Sequence, residues 1–181
     1  MNHESTIPPG WRQNPSTWAR RVPLFGLALL GLAIALYLAL YQLDIFSTIW
    51  EPFFDQGSRE VLHSGLSQIL PIPDAALGAL AYLLEAVAEL LGGSDRWRNA
   101  PWAVFAFSVI TGVMVAASAL LVIWQGAVVK NWCTLCLCSA AISFLITALA
   151  IDEWRAAWQH VRANEQKGIS FWSALTGKAR A

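Results

Sequence analysis

From Val22 to Leu43 the chain runs for about 22 residues without a single charged side chain. At ~1.5 Å per residue a helix of that length covers a hydrocarbon core of roughly 30 Å. The apolar region of a secretory signal is shorter, about 7 to 15 residues, so this segment is expected to be retained as a first transmembrane helix. Three further apolar blocks follow. One starts at Ala75, behind Pro73 and the N-capping Asp74, and stops at Gly92 and Gly93; at about 18 residues it is of marginal length for a span. The next runs from Pro101 to about Val129, and the last from Cys133 to Ile151. Hydrophobic residues make up 56% of the chain and charged residues 13%, against about 25% charge in soluble domains. Trp18, Trp102, Trp124, Trp132, Trp154 and Trp158 fall near the block ends, where amphipathic rings favour the headgroup region. The fold predicted is all-α, an integral membrane four-helix bundle with a long outer loop, residues 44 to 73, between helices one and two.

Four spans put both termini on one side. Arg12, Arg20, Arg21, Arg96, Arg98, Arg155, Arg162, Lys167, Lys178 and Arg180 share that side, and only Arg59 and Lys130 lie opposite. Lys and Arg favour the cytoplasmic flank, so both termini are expected in the cytoplasm and the chain in the plasma (inner) membrane. Residues 1–20, rich in proline and polar groups, read as a mobile lead; 21–152 form the membrane domain; 153–181 form a cytoplasmic tail. Trp154, Trp158 and Val161 at helical spacing suit an interfacial helix, and a solvated extension suits them equally. Zero net charge gives no support for nucleic-acid binding.

All three cysteines, Cys133, Cys136 and Cys138, lie within six positions, too few for a disulfide scaffold and placed like a site. Cys133 and Cys136, three apart at the start of the fourth helix, share a face and can be bridged. A helix N-terminus favours thiolate, so Cys133 is expected to be the more acidic and accessible thiol, with Cys136 a turn deeper towards the bundle interior. The alternative is that small cysteines simply pack between helices. Cys138 points roughly 200° away from Cys136 and is read as a packing residue.

A Cys pair opening the last of four membrane helices, with an outer loop ending Pro73, Asp74, Ala75, Ala76, Leu77, Gly78, resembles the vitamin K epoxide reductase family. The resemblance covers roughly residues 22 to 152 and is most specific at Trp132 to Cys136 and at Val61 to Leu83, VLHSGLSQILPIPDAALGALAYL. It implies a quinone-dependent thiol–disulfide oxidoreductase. Cys136 would react with a quinone held in the bundle, and Cys133 would take electrons from extracytoplasmic thiols through a thioredoxin-like partner, supporting disulfide formation. Asp74 falls where the family commonly has an Asn bonded to a quinone oxygen, a bond that a protonated carboxyl can also donate; a plain helix cap is the other reading. Ser64 matches a small hydroxyl position near the pocket mouth.

Two departures stand out. The outer loop has none of the family's additional cysteines, and Trp50 to Ser58, where they belong, reads WEPFFDQGS. Ala140 replaces a Tyr found in vertebrate members, so a respiratory quinone is expected rather than vitamin K epoxide.

Glu85 and Glu89, four apart on helix two, read either as a proton relay near mid-membrane or as interface residues neighbouring Arg96 or Arg98. His63 is either a proton donor to the reduced quinone or a solvated loop histidine. Two other functions compete with the redox reading: a non-catalytic membrane scaffold that kept the bundle, and a thiolate metal site built from Cys133, Cys136, Cys138 and His63. Since Cys138 points elsewhere, no metal is expected. Nucleotide-binding glycine motifs and hydrolase-like nucleophile motifs do not stand out.

Overall fold

Two positive-φ residues, Gly92 (φ 75°) and Lys130 (φ 59°), mark the turns between the long helices in the computed structural model, which describes residues 7–65, 67 and 71–178. Arg180, counted above, and Leu66, Gln68, Ile69 and Leu70 of the loop motif lie outside the described residues. In chain order the elements are α1 (Trp18–Gln42), α2 (Gly57–Leu62), α3 (Asp74–Leu90), α4 (Arg96–Asn99), α5 (Pro101–Trp124), α6 (Thr134–Gln166) and α7 (Phe171–Leu175). A π-helical turn, Gln125–Val129, extends α5. The described residues contain no strand. Pro101 begins α5 at a position whose N–H has no partner in any helix, so nothing is lost there.

Three helical stretches are long and apolar enough to cross a membrane: Trp18–Gln42, Pro101–Val129 and Thr134–Gln166. The 17 residues of α3 fall just short. α1 packs mainly on α3 and also on α6, while α5 packs on α6 and α3. Their shared core gathers Tyr82, Phe107, Ile142 and Ile146 with Ala28, Ala35, Ala79 and Ala86. Small residues let the helices approach closely, as lipid-embedded helices require. Gly31 is the tightest case, since a Cβ there would lie 2.4 Å from the Tyr82 ring.

Only 22% of the most apolar window of α5 is buried, and 33% of those of α1 and α6. Leu29, Leu30, Leu36, Val109, Val113, Leu120 and Ile123 therefore point outward. So much exposed apolar surface suits lipid and not water. This is a membrane protein.

One end of the helices is tied by buried charge. Arg21 meets Glu89 at 3.3 Å, and Arg96 meets Glu89 at 3.2 Å and Glu153 at 2.5 Å. Residues before α1 reach this arginine end: Asn14 Nδ2 donates to the Ser94 carbonyl (2.7 Å), Ser16 Oγ to Glu153 (2.5 Å) and Trp11 Nε1 to Gln159 (2.9 Å). The helix expected to stop at Ile151 continues to Gln166. Glu153 turns inward to Arg96 instead of ending the helix in solvent, and Ala156 and Ala157 pack with Trp97 beyond it. Trp154 and Trp158 face outward and stack on each other, with ring centroids 6.3 Å apart.

Candidate redox site

At the opposite end Cys133 and Cys136 are joined by a disulfide, with Cα atoms 5.2 Å apart. Cys133 is not the first residue of the helix but its N-cap, extended at φ −116° and ψ 114°, and its sulfur accepts from the Cys136 N–H at 3.1 Å. Its own N–H donates to Gln125 Oε1 (3.0 Å). Gln125 is buried in the π-helical turn, which aims it at the cysteines. Such turns interrupt the regular helix and recur at functional sites.

Cys133 is 0% exposed and Cys136 only half-buried, which reverses the expected order of accessibility. Leu38 and Tyr41 of α1, Val61 and Leu62 of α2, Ala75 of α3 and Val129 enclose the pair. The outer loop causes the reversal by lying over Cys133. Glu51 accepts from the backbone N–H of Thr134 at 2.9 Å and from the hydroxyls of Thr134 and Ser58. It thus caps α6 from a distant part of the chain. Burial pushes its carboxyl up, but these bonds and one from the Phe53 N–H outweigh it and hold Glu51 below the usual carboxylate range. Gly57 presses so closely on the Trp132 carbonyl that a Cβ would lie 2.1 Å from that oxygen. Asn131 Nδ2 donates to Glu60.

Sequence reasoning missed Glu51. It stands in WEPFFDQGS, where the family's additional cysteines belong, and a lone acid there has no recognisable spacing. Gln125 left no local signal either.

Cys138 is exposed on α6, away from the pair. It faces outward rather than packing inside the bundle. Among the described residues no three His, Cys, Asp or Glu side chains are grouped closely enough to hold a metal ion.

Ser64, half-buried, and His63 line an open cleft of about 880 Å³ with Gln56, Arg59, Trp124 and Val129. The His63 ring stands edge-on to Tyr41, with centroids 5.7 Å apart, and Tyr41 and Val129 both border the cysteines. Asp74 is not part of that cleft. Its carboxylate accepts from Gln42 Nε2 (2.6 Å), Ser67 Oγ (3.1 Å) and the Ala75 N–H (2.9 Å). Gln42 also donates to the Leu62 carbonyl, so Asp74 ties α1, α2 and α3 together beside the site. Deeper in the bundle the Tyr82 hydroxyl donates to the Ser139 carbonyl (2.7 Å) and meets Ser143 Oγ (2.8 Å).

The vitamin K epoxide reductase family model matches residues 22–151, well over half the chain. The chain belongs to the vitamin K epoxide reductase family. The match runs from the start of the apolar part of α1 to the middle of α6, and so includes both bridged cysteines, the Glu51 loop, Ser64 and Asp74. Membership makes it a membrane oxidoreductase, and the Cys133–Cys136 disulfide lies within the matched region. No curated protein matches the chain.

Proposed function

We propose that the Cys133/Cys136 pair takes electrons from thiols outside the cytoplasm and passes them to a membrane quinone, supporting disulfide formation. The observation that carries this reading is the disulfide at the head of α6, walled by apolar side chains of three other helices in a chain of this family. A dithiol pair reduced by exchange gives up two electrons as its disulfide closes again. Cys136, the more exposed sulfur, is the one that meets the quinone. Cys133 lies beneath the outer loop, and the thiol donor, of thioredoxin-like kind, reaches it when the Glu51 segment lifts.

The quinone site in this reading is the cleft whose wall includes Val129, a neighbour of the pair. Trp124, Val128 and Val129 supply an apolar wall, and Ser64 and His63 supply hydrogen-bonding groups at its rim. Asp74 serves the acceptor less directly, by holding α1, α2 and α3 in place around it.

In this reading α3 is the fourth span, residues 21–152 are the membrane domain, and residues 1–20 and 153–181 lie in the cytoplasm below a plasma membrane. The arginine-rich end then follows the usual preference of Lys and Arg for the cytoplasmic side. The test is quinone reduction by the purified, dithiol-supplied protein. Activity lost in Cys136→Ser and in Cys133→Ser supports the redox reading. No activity in the wild type with several quinones and donors would leave a scaffold as the better account.

A further inference from the structure

Two carboxyl groups one turn apart on α3 have opposite surroundings. Glu89 is paired with Arg21 and Arg96. Glu85 is 0% exposed, and neither of its carboxyl oxygens has a hydrogen-bond partner. Unpartnered buried polar atoms are rare enough that each calls for an explanation. In a bundle surrounded by lipid, an ionisable group at depth is expensive to keep and marks a pathway more often than a packing choice.

The position of Glu85 supplies the explanation. At ~1.5 Å per residue, Tyr82, Glu85 and Glu89 lie roughly 12, 16 and 22 Å along α3 from its start beside the cysteines. On α6, Cys136, Ser139 and Ser143 follow the i, i+3, i+7 spacing of one helix face. The Tyr82 hydroxyl joins Ser139 and Ser143 on that face. At the arginine end, Glu89, Arg96, Glu153 and Ser16 form a second continuous network. Glu85 stands between the two along α3, about a turn from each, a gap of the size that a bridging water spans.

We infer that Glu85 is a proton-transfer site, which takes protons from the arginine end of the bundle and delivers them towards the quinone reduced at the cysteine pair, a role that rests on the chemistry proposed above. A Cys136 thiolate and a Cys133 thiol give two electrons to the quinone, their S–S bond forms, and the Cys133 proton goes to the quinone. The second proton leaves the Glu85 carboxyl through Tyr82 and the two serines. Glu85 regains it from the arginine end by way of Glu89. The external dithiol then breaks the S–S bond and is itself oxidised to a disulfide. One of its protons stays on Cys133, and the other is released at the cysteine end. One proton crosses for each quinone reduced. The titratable and charged groups around Glu85 are Tyr82 and Glu89 on α3, Arg21 on α1, Arg96 on α4 and Glu153 on α6; α5 carries none.

The test uses the full chain in quinone-loaded liposomes with a trapped pH dye. A membrane-impermeant dithiol added outside addresses only molecules whose cysteine end faces out. The expected result is an alkaline shift inside, about one proton per quinone reduced, which a purely local exchange of thiol protons does not produce. Glu85→Gln should slow quinone reduction about tenfold or more and abolish the shift, while its Cys133–Cys136 disulfide still forms with a chemical oxidant. Glu85→Asp should restore part of both. Quinone reduction in the wild type without a pH shift would overturn the role of Glu85 and leave the proposed function standing. An unchanged rate and shift in Glu85→Gln would overturn it too, and a wild type that reduces no quinone would sink both. Should Glu85→Gln fail to fold, the wild-type ratio of protons to quinone decides.

Discussion

Glu51 does for this loop what a covalent link could have done, since it pins residues 51–58 to the head of α6 by hydrogen bonds alone. Replacing a helix-capping acceptor with Ala typically costs about 1 kcal/mol. Glu51→Ala should lower thermal stability by that order and speed alkylation of Cys133 in the reduced protein. The pH dependence has a definite sign. The folded carboxyl sits below its ordinary value of 4.5, so its stabilisation is complete above that value and is lost as pH falls through the lower, folded one. Glu51→Gln should flatten this part of an acid unfolding curve; an unchanged acid slope would mean that the loop is held by other contacts. At the other end Arg96 is 1% exposed between two carboxylates. Removing one partner of a buried pair costs roughly 3–5 kcal/mol, because a charge is left behind. Arg96→Met should therefore be severely destabilised, and Arg96→Met with Glu153→Leu should recover part of the loss in a melting experiment.

The long helices were legible because lipid imposes a simple pattern, length without charge, which Val22 to Leu43 and Pro101 to Val129 display openly. Their ends were less legible. The apolar block ends at Ile151 before the charged Asp152 and Glu153, and α6 runs through them with Glu153 bonded to Arg96 from another element. The burial of Cys133 was hidden for the same reason, since it depends on Glu51, 82 positions earlier in the chain and close to the site only after folding. Close contacts between helices can be tested through glycines. Gly31→Ala would put a Cβ 2.4 Å from a Tyr82 ring that is fixed by hydrogen bonds to α6. Overpacking of this kind costs about 1–3 kcal/mol, so α1 and α3 should separate and the protein melt earlier. Gly78→Ala is the contrast. Its Cβ would meet Ala35 at an ordinary 3.9 Å, and Ala in place of a helical Gly is worth roughly 0.5–1 kcal/mol, so this variant should melt later.

Taken whole, the molecule is polarised along its helices, with the redox pair at one end and the arginines at the other. Both ends of the described chain gather at the arginine end: Asn14 and Ser16 bond there, and Gly177 packs against the carbonyl of Asn99 so closely that a Cβ would lie 2.0 Å from it. Trp50, on the cysteine side, and Trp172, on the arginine side, are 60% and 72% exposed, which makes them suitable reporters of which end faces which compartment. In a Cys138→Ala background, Trp50→Cys should react with a membrane-impermeant thiol reagent added to intact cells. Trp172→Cys should react only after the membrane is opened. The charge distribution fixes this expectation, because all but Arg59 and Lys130 among the described basic residues lie outside the cysteine end, and Lys and Arg are retained on the cytoplasmic side. The reverse labelling pattern would put the cysteines in the cytoplasm, where thiols are kept reduced, and the pair could no longer serve disulfide formation outside the cell.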